Sequence, residues 1–154
     1  MIGSINSITN SFSIWFTNQQ ALNKTIEEQK KQQVIAKLKQ IEQKVIAHEQ
    51  AHKTVGGELA GSIHYKYTIG PDGKRYIVGG EVPIQIKKGK TPEETIKIAQ
   101  KVRAAALAPA DPSPQDLQVA QRATTLEMMA RMELIEKYLA SQNKEDTFKI
   151  DIYA

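Results

Sequence analysis

Apolar residues fall at Val34, Leu38, Ile41 and Val45, spaced four, three and four, with Ile35 and Ile46 widening the stripe. That rhythm marks one face of a helix. Residues 18–55 contain neither Gly nor Pro and are dominated by strong helix formers, so one long helix is predicted from about Asn18 to Val55. Gly56-Gly57 supplies its stop. The first half of this helix is far more polar, as suits a segment that projects from the body or pairs with another helix. Upstream, residues 1–18 interleave Ser, Asn and Ile with Trp15 and Phe16 and hold no period. They read either as a loose arm that docks those two rings on the body or as a disordered tail.

The period then changes. Ile63–Ile69 and Arg75–Ile86 are rich in β-branched and aromatic residues and flank Gly70-Pro71-Asp72-Gly73, which predicts a β-hairpin with Gly73 in the left-handed position. If Gly70 pairs with Lys74, Glu81 falls opposite Ile63 and His64 opposite Gly80, on opposite sheet faces. Thr91-Pro92-Glu93-Glu94 reads as a capping box that opens a second helix, with Ile96, Ile98, Ala99, Val102, Ala105 and Ala106 as its apolar positions. The run APADPSP, residues 108–114, must break it. Ser113-Pro114-Gln115-Asp116 starts a last helix to about Ala140. Its expected stripe is Leu117, Met128, Met132, Ile135 and Leu139, widened by Val119, Leu126, Ala130, Leu134 and Tyr138. The final DTFKIDIYA alternates like a short strand. The expected architecture is α+β: a long helix packed on a β-hairpin or small antiparallel sheet, with two further helices. Residues 19–140 form one domain, 1–18 the arm and 141–154 a tail.

Composition narrows the chemistry. The 154 residues suffice for one modest domain, and 40% hydrophobic with 25% charged is an ordinary globular balance. The net charge is +4, but Lys alternates with Glu and Gln over residues 24–44. That pattern is a solvated helix face rather than a nucleic-acid stripe. The absence of Cys removes disulfides, thiolate metal sites and a thiol nucleophile. The first residues lack a basic segment followed by a continuous apolar one, and no run is long enough to span a bilayer. A cytoplasmic location is the default expectation.

Continuing the helical rhythm past Val45 reaches His48 and His52, two of the three histidines in the chain, within the pentapeptide HEQAH. Imidazoles at i and i+4 stack on one helix face and can share a single metal ion. Glu49 sits beside them, placed to take a proton from an activated water. A catalytic zinc wants a third protein ligand. Glu58, His64, Asp72, Glu81 and Asp111 are the candidates. Glu81 is preferred, because a carboxylate after Gly79-Gly80 on an otherwise apolar strand needs a partner. The hairpin register lets Glu81 or His64 serve, but not both. Tyr65, Tyr67, Arg75 and Tyr76 supply hairpin donors for a developing oxyanion, with His64 as a further contact.

The blocks HEQAH, YTIGPDGKRYIVGGEVPI and VRAAALAPADPSPQDLQVAQRA occur in order between about Lys44 and Tyr138, and they resemble the SprA-related family of bacterial proteins. The resemblance implies a zincin-like metallopeptidase core holding one zinc ion, with His48, Glu49 and His52 as its motif. GGEV belongs to the signature, which favours Glu81 over His64. The expected function is hydrolysis of peptide bonds in a peptide or protein substrate, with Glu49 as general base. The alternative is a catalytically inactive zincin-like module that works through protein–protein contact, or self-association, of its long helix.

Overall fold

The computed structural model of the chain describes the backbone of residues 3–151 and the side chains of residues 13–142. The chain forms helix α1 (Gly3–Gly56), a 3-10 turn (Gly57–Leu59), strands β1 (His64–Ile69) and β2 (Arg75–Glu81), and helices α2 (Pro92–Ala106) and α3 (Pro114–Asp151). The class is α+β, with β1 and β2 forming a two-stranded sheet. No helix among the described residues is long and apolar enough to cross a membrane.

Two predicted ends are helical instead. The arm is part of α1, which begins at Gly3, and Trp15 and Phe16 are more than half exposed. The strand expected in the tail is helix as far as Asp151, and residues 152–154 lie outside the described residues. Neither segment is rich in strong helix formers, and each continues a helix already nucleated next to it. The expected stop after α1 does occur: Gly57 takes φ +55°. A Cβ on Gly56 would lie 2.7 Å from that of Ala60 and 3.4 Å from that of Ala105, so the glycine also admits close packing.

The chain divides into two compact units. One comprises Met1–Gln43 with Lys66–Val78. Here the hairpin loop closes through Gly70 N–H donating to the Lys74 carbonyl at 2.8 Å, with Gly73 at φ +75°. The Tyr76 hydroxyl donates to Asp72 at 2.8 Å, the Arg75 guanidinium lies 4.2 Å from the Tyr67 ring centre, and Ile77 N–H donates to Glu42 at 3.1 Å. The loop thus has the pairing its glycine and proline predict.

The other unit comprises Lys44–Tyr65 with Gly79–Ala154. Ala60 forms an antiparallel bridge with Ile84, in the same register as the Gly70–Lys74 closure. The core is Leu59, Val102 and Ala123, with Ile84, Ile98 and Val119 packed on it. Helices α2 and α3 meet through small residues: Ala99, Val102, Ala105 and Ala106 on one, Ala120, Ala123 and Ala130 on the other, all buried. The stripe expected on α3 is therefore corrected in part: Leu117, Met128, Met132, Ile135 and Leu139 are exposed, while of the positions that widened it Ala130 is buried and Val119 packs on the core. Periodicity found the larger residues, whereas close helix approach selected the smaller.

Thr91 caps α2 by accepting from Glu94 N–H at 3.2 Å, but the Glu94 carboxylate accepts from Lys90 N–H at 2.7 Å rather than from the cap residue. Buried Glu127 ties the two helices together, accepting from Gln100 and Arg103 of α2 and from Arg131 of α3. The Arg131 and Gln100 hydrogen bonds outweigh burial and hold its carboxyl at about 2. A depressed carboxyl contributes stability above its unfolded value of 4.5 and loses it as pH falls towards about 2. Glu127→Gln should lower Tm at pH 7 by roughly 3–5 °C. The difference from wild type should shrink when melts are repeated across that acid window.

Candidate metal centre

The C-terminal part of α1 presents His48, Glu49 and His52 to the joint between α2 and α3. His52 is buried, and its Nδ1 lies 2.9 Å from the Ala105 carbonyl at the end of α2. A carbonyl only accepts, so Nδ1 carries the proton and a neutral His52 keeps a lone pair on Nε2. That Nε2 lies 3.2 Å from Nε2 of His48, with the rings edge-on at 76° and centres 4.9 Å apart. The two imidazoles converge.

The third member is Asp116. Its Oδ1 lies 3.3 Å from His52 Nε2, and its Oδ2 lies 3.5 Å from His48 Nε2. Local sequence explains the placement. Ser113 caps α3, accepting from Asp116 N–H at 3.2 Å, while Oδ2 of Asp116 accepts from Ser113 N–H at 2.7 Å. This reciprocal cap fixes the carboxylate at the positive end of the helix. Burial works to raise the Asp116 pKa, but the Ser113 hydroxyl and N–H, with the two histidines, hold it below the usual range. In the sequence Asp116 stands out only as part of the Ser113-Pro114-Gln115-Asp116 helix start, and nothing local signals this second use of its carboxylate. Among the described residues, His48, His52 and Asp116 form the group whose ligand atoms all lie within 4.8 Å of one another.

Glu81, the preferred third ligand from sequence, is outside that group but lines the same small cavity, together with Glu49 and Ser113. Asp111 faces the other ring nitrogen, Nδ1 of His48, at 3.5 Å, too far for a strong hydrogen bond. Asp72 caps the hairpin loop and accepts from Tyr76. Tyr67 and Arg75 engage each other, so with Tyr76 they belong to the hairpin tip. His64, Tyr65 and Glu58 are not among the residues lining the cavity.

Glu49 is buried, and its Oε2 has no hydrogen-bond partner among the described residues. Burial raises its pKa, the histidines oppose this, and Asp116 and Glu81 add to it. A glycine in a strand lets another group approach closely. What comes close to Gly80 is Glu49: a Cβ there would lie 2.7 Å from its Cγ and 2.9 Å from its Oε1.

The donor spacing tests whether a metal fits. Ligands about 2.0–2.1 Å from one tetrahedral ion stand roughly 3.3–3.4 Å apart. The His48–His52 and His52–Asp116 separations of 3.2 and 3.3 Å lie close to that edge, and the 3.5 Å from His48 runs to the other oxygen of the same carboxylate. The cavity beside them measures about 90 Å³, room for an ion and water-sized company. The group can hold a metal.

The sequence model of the SprA-related family matches residues 9–152. The chain belongs to the SprA-related family. The match extends beyond the blocks between Lys44 and Tyr138 and takes in the polar half of α1 and most of α3. No curated protein and no solved structure matches the chain.

The contact between helix and strand gives a test that needs no ligand. Gly80→Ala should cost about 1–3 kcal/mol in denaturant unfolding, through overpacking against Glu49. In the background of Glu49→Ala the same substitution should cost little, and equal costs in both backgrounds would place the crowding elsewhere.

Proposed function

We propose that this SprA-related protein is a zinc-dependent, zincin-like metallopeptidase, with His48, His52 and Asp116 as metal ligands and Glu49 as general base. The observation that carries the reading is the convergence of two imidazole nitrogens and one carboxylate within 4.8 Å of one another, beside a buried glutamate oxygen with no hydrogen-bond partner among the described residues. When bound, zinc supplies Lewis acidity, polarising a carbonyl and making water acidic near neutral pH. The chain's own groups do the rest. Ala105 fixes the His52 tautomer, and Ser113 fixes Asp116. Glu49 has lost its water and lacks a competing donor. Its carboxylate can take a proton from water at Oε2 and return it to the leaving amide nitrogen.

A cleft of about 670 Å³ adjoins the site. His48 and Glu49 line it with Val45, Ala51, Ala108 and Pro109, and Gly79-Gly80 leaves part of its wall without side chains. Such a lining suits an extended peptide with a small apolar residue next to the scissile bond. Glu81, on the rim of the smaller cavity, is retained as the alternative third ligand.

The purified chain should bind about one zinc per molecule by metal analysis and titration calorimetry. His52→Ala and Asp116→Asn should weaken binding by about a hundredfold or more, and Glu81→Ala by less. If Glu81→Ala is the more damaging, the ligand assignment reverts to Glu81. Glu49→Gln should keep zinc and lose peptide cleavage by about 100- to 10,000-fold. Stoichiometric zinc without cleavage in the wild type would instead identify a non-catalytic metal-binding module.

A further inference from the structure

Helix α3 has two apolar faces, and the fold of one chain uses only one. Ala120, Ala123 and Ala130 are buried, whereas Met128, Met129, Met132, Ile135, Tyr138 and Leu139 are each more than half exposed. Met128, Met132, Ile135 and Leu139 are spaced four, three and four, the core positions of a two-heptad helical seam. Met129 and Tyr138 widen it. At roughly 100 Å² or more apiece these side chains offer on the order of 600 Å², above what monomers commonly leave bare and near the share each partner contributes to a standard interface.

The geometry points to a second copy of this chain as the occupant, with α3 pairing in parallel and in register along Met128–Leu139. Charge favours this arrangement. With Met132 and Leu139 at one core position and Met128 and Ile135 at the other, Arg131 flanks the seam at the site that faces Glu136 of the second copy, five residues on. Symmetry makes that bridge twice. Antiparallel pairing would set Glu136 beside Met129 and lose it. Arg131 already uses Nε and Nη2 on Glu127, but a guanidinium has further donors. Two heptads would be marginal for free helices. Here the start of the seam is anchored by Ala130 and the Glu127 network, so less ordering remains to oppose association than for free helices. Helix α1 offers a poorer seam. After Leu22 and Ile26, the positions that would continue it are Gln29 and Gln33.

Sedimentation equilibrium of the full chain at about 10–100 µM should give twice the 17.2 kDa chain mass. Met132→Glu/Ile135→Glu should give the single-chain mass with its helical circular dichroism retained, and Glu136→Arg should weaken the dimer at least tenfold. Leu22→Glu on α1 should leave it intact. Because the chain has no cysteine, Leu139→Cys provides a single thiol that keeps the seam largely apolar. On oxidation it should form a covalent dimer, since parallel pairing brings the two copies of that position together and antiparallel pairing separates them by about 16 Å. A wild type of single-chain mass, a doubly substituted seam that stays dimeric, dissociation by Leu22→Glu, or a Leu139→Cys thiol that does not cross-link would each overturn the proposal.

Discussion

Oδ1 of Asp116 and Nε2 of His52 face each other at 3.3 Å, and with a neutral ring both present lone pairs, because the only ring proton of His52 is given to Ala105. Two acceptors at that distance repel unless positive charge lies between them. A proton on the ring would serve for this pair alone. The Nε2 of His48 aims at the same point from 3.2 Å, so a single cation shared by three donors satisfies more of the arrangement. The neighbouring features bear on this constraint. Ser113 holds the carboxylate, the end of α2 orients the buried ring, and Glu49 is a buried carboxylate beside the three converging donors rather than one of them.

The parts of this arrangement that local sequence dictates were legible beforehand. Histidines four apart on a long, uninterrupted helix must share a face, a Gly-Gly pair must end that helix, and Pro-Asp-Gly must turn a hairpin. Each follows from backbone preferences within a few residues. The third member of the group does not follow in that way. Asp116 is a cap residue three positions into α3, and its sequence signal is fully explained by Ser113. Only the tertiary path, which brings the start of α3 under the histidines, gives the carboxylate a second partner. Glu81 looked more conspicuous because its strand neighbours are apolar, yet its place on the cavity rim depends on the same unreadable path.

The misread face of α3 has a related cause. A hydrophobicity pattern weights side-chain size, so Met, Ile and Leu dominate the period while Ala is almost silent. Helices that approach closely need small residues at the contact, and here the contact is alanine on alanine, stiffened by one buried glutamate with partners on both helices. The large residues then stand on the opposite side. The arm expected to be loose is helical from Gly3 for a comparable reason: a long helix, once started, propagates through weakly patterned sequence more cheaply than that sequence can collapse onto a body.

Glu49 shows why Gly80 of GGEV matters even if no substrate touches it. A base close to a metal should be desolvated, yet it must not ligate the ion or bond to a neighbouring donor. A side chain on β2 opposite Glu49 would either push the carboxylate towards the histidines or offer it a partner. Gly80 offers only backbone, and at 2.7–3.0 Å from a hypothetical Cβ the fit leaves no room for anything larger. The strand therefore acts as a spacer behind the glutamate. It sets how far the carboxylate stands from the converging nitrogens, in the way that Ser113 sets Asp116, and both settings are made by main-chain geometry rather than by the ligands themselves.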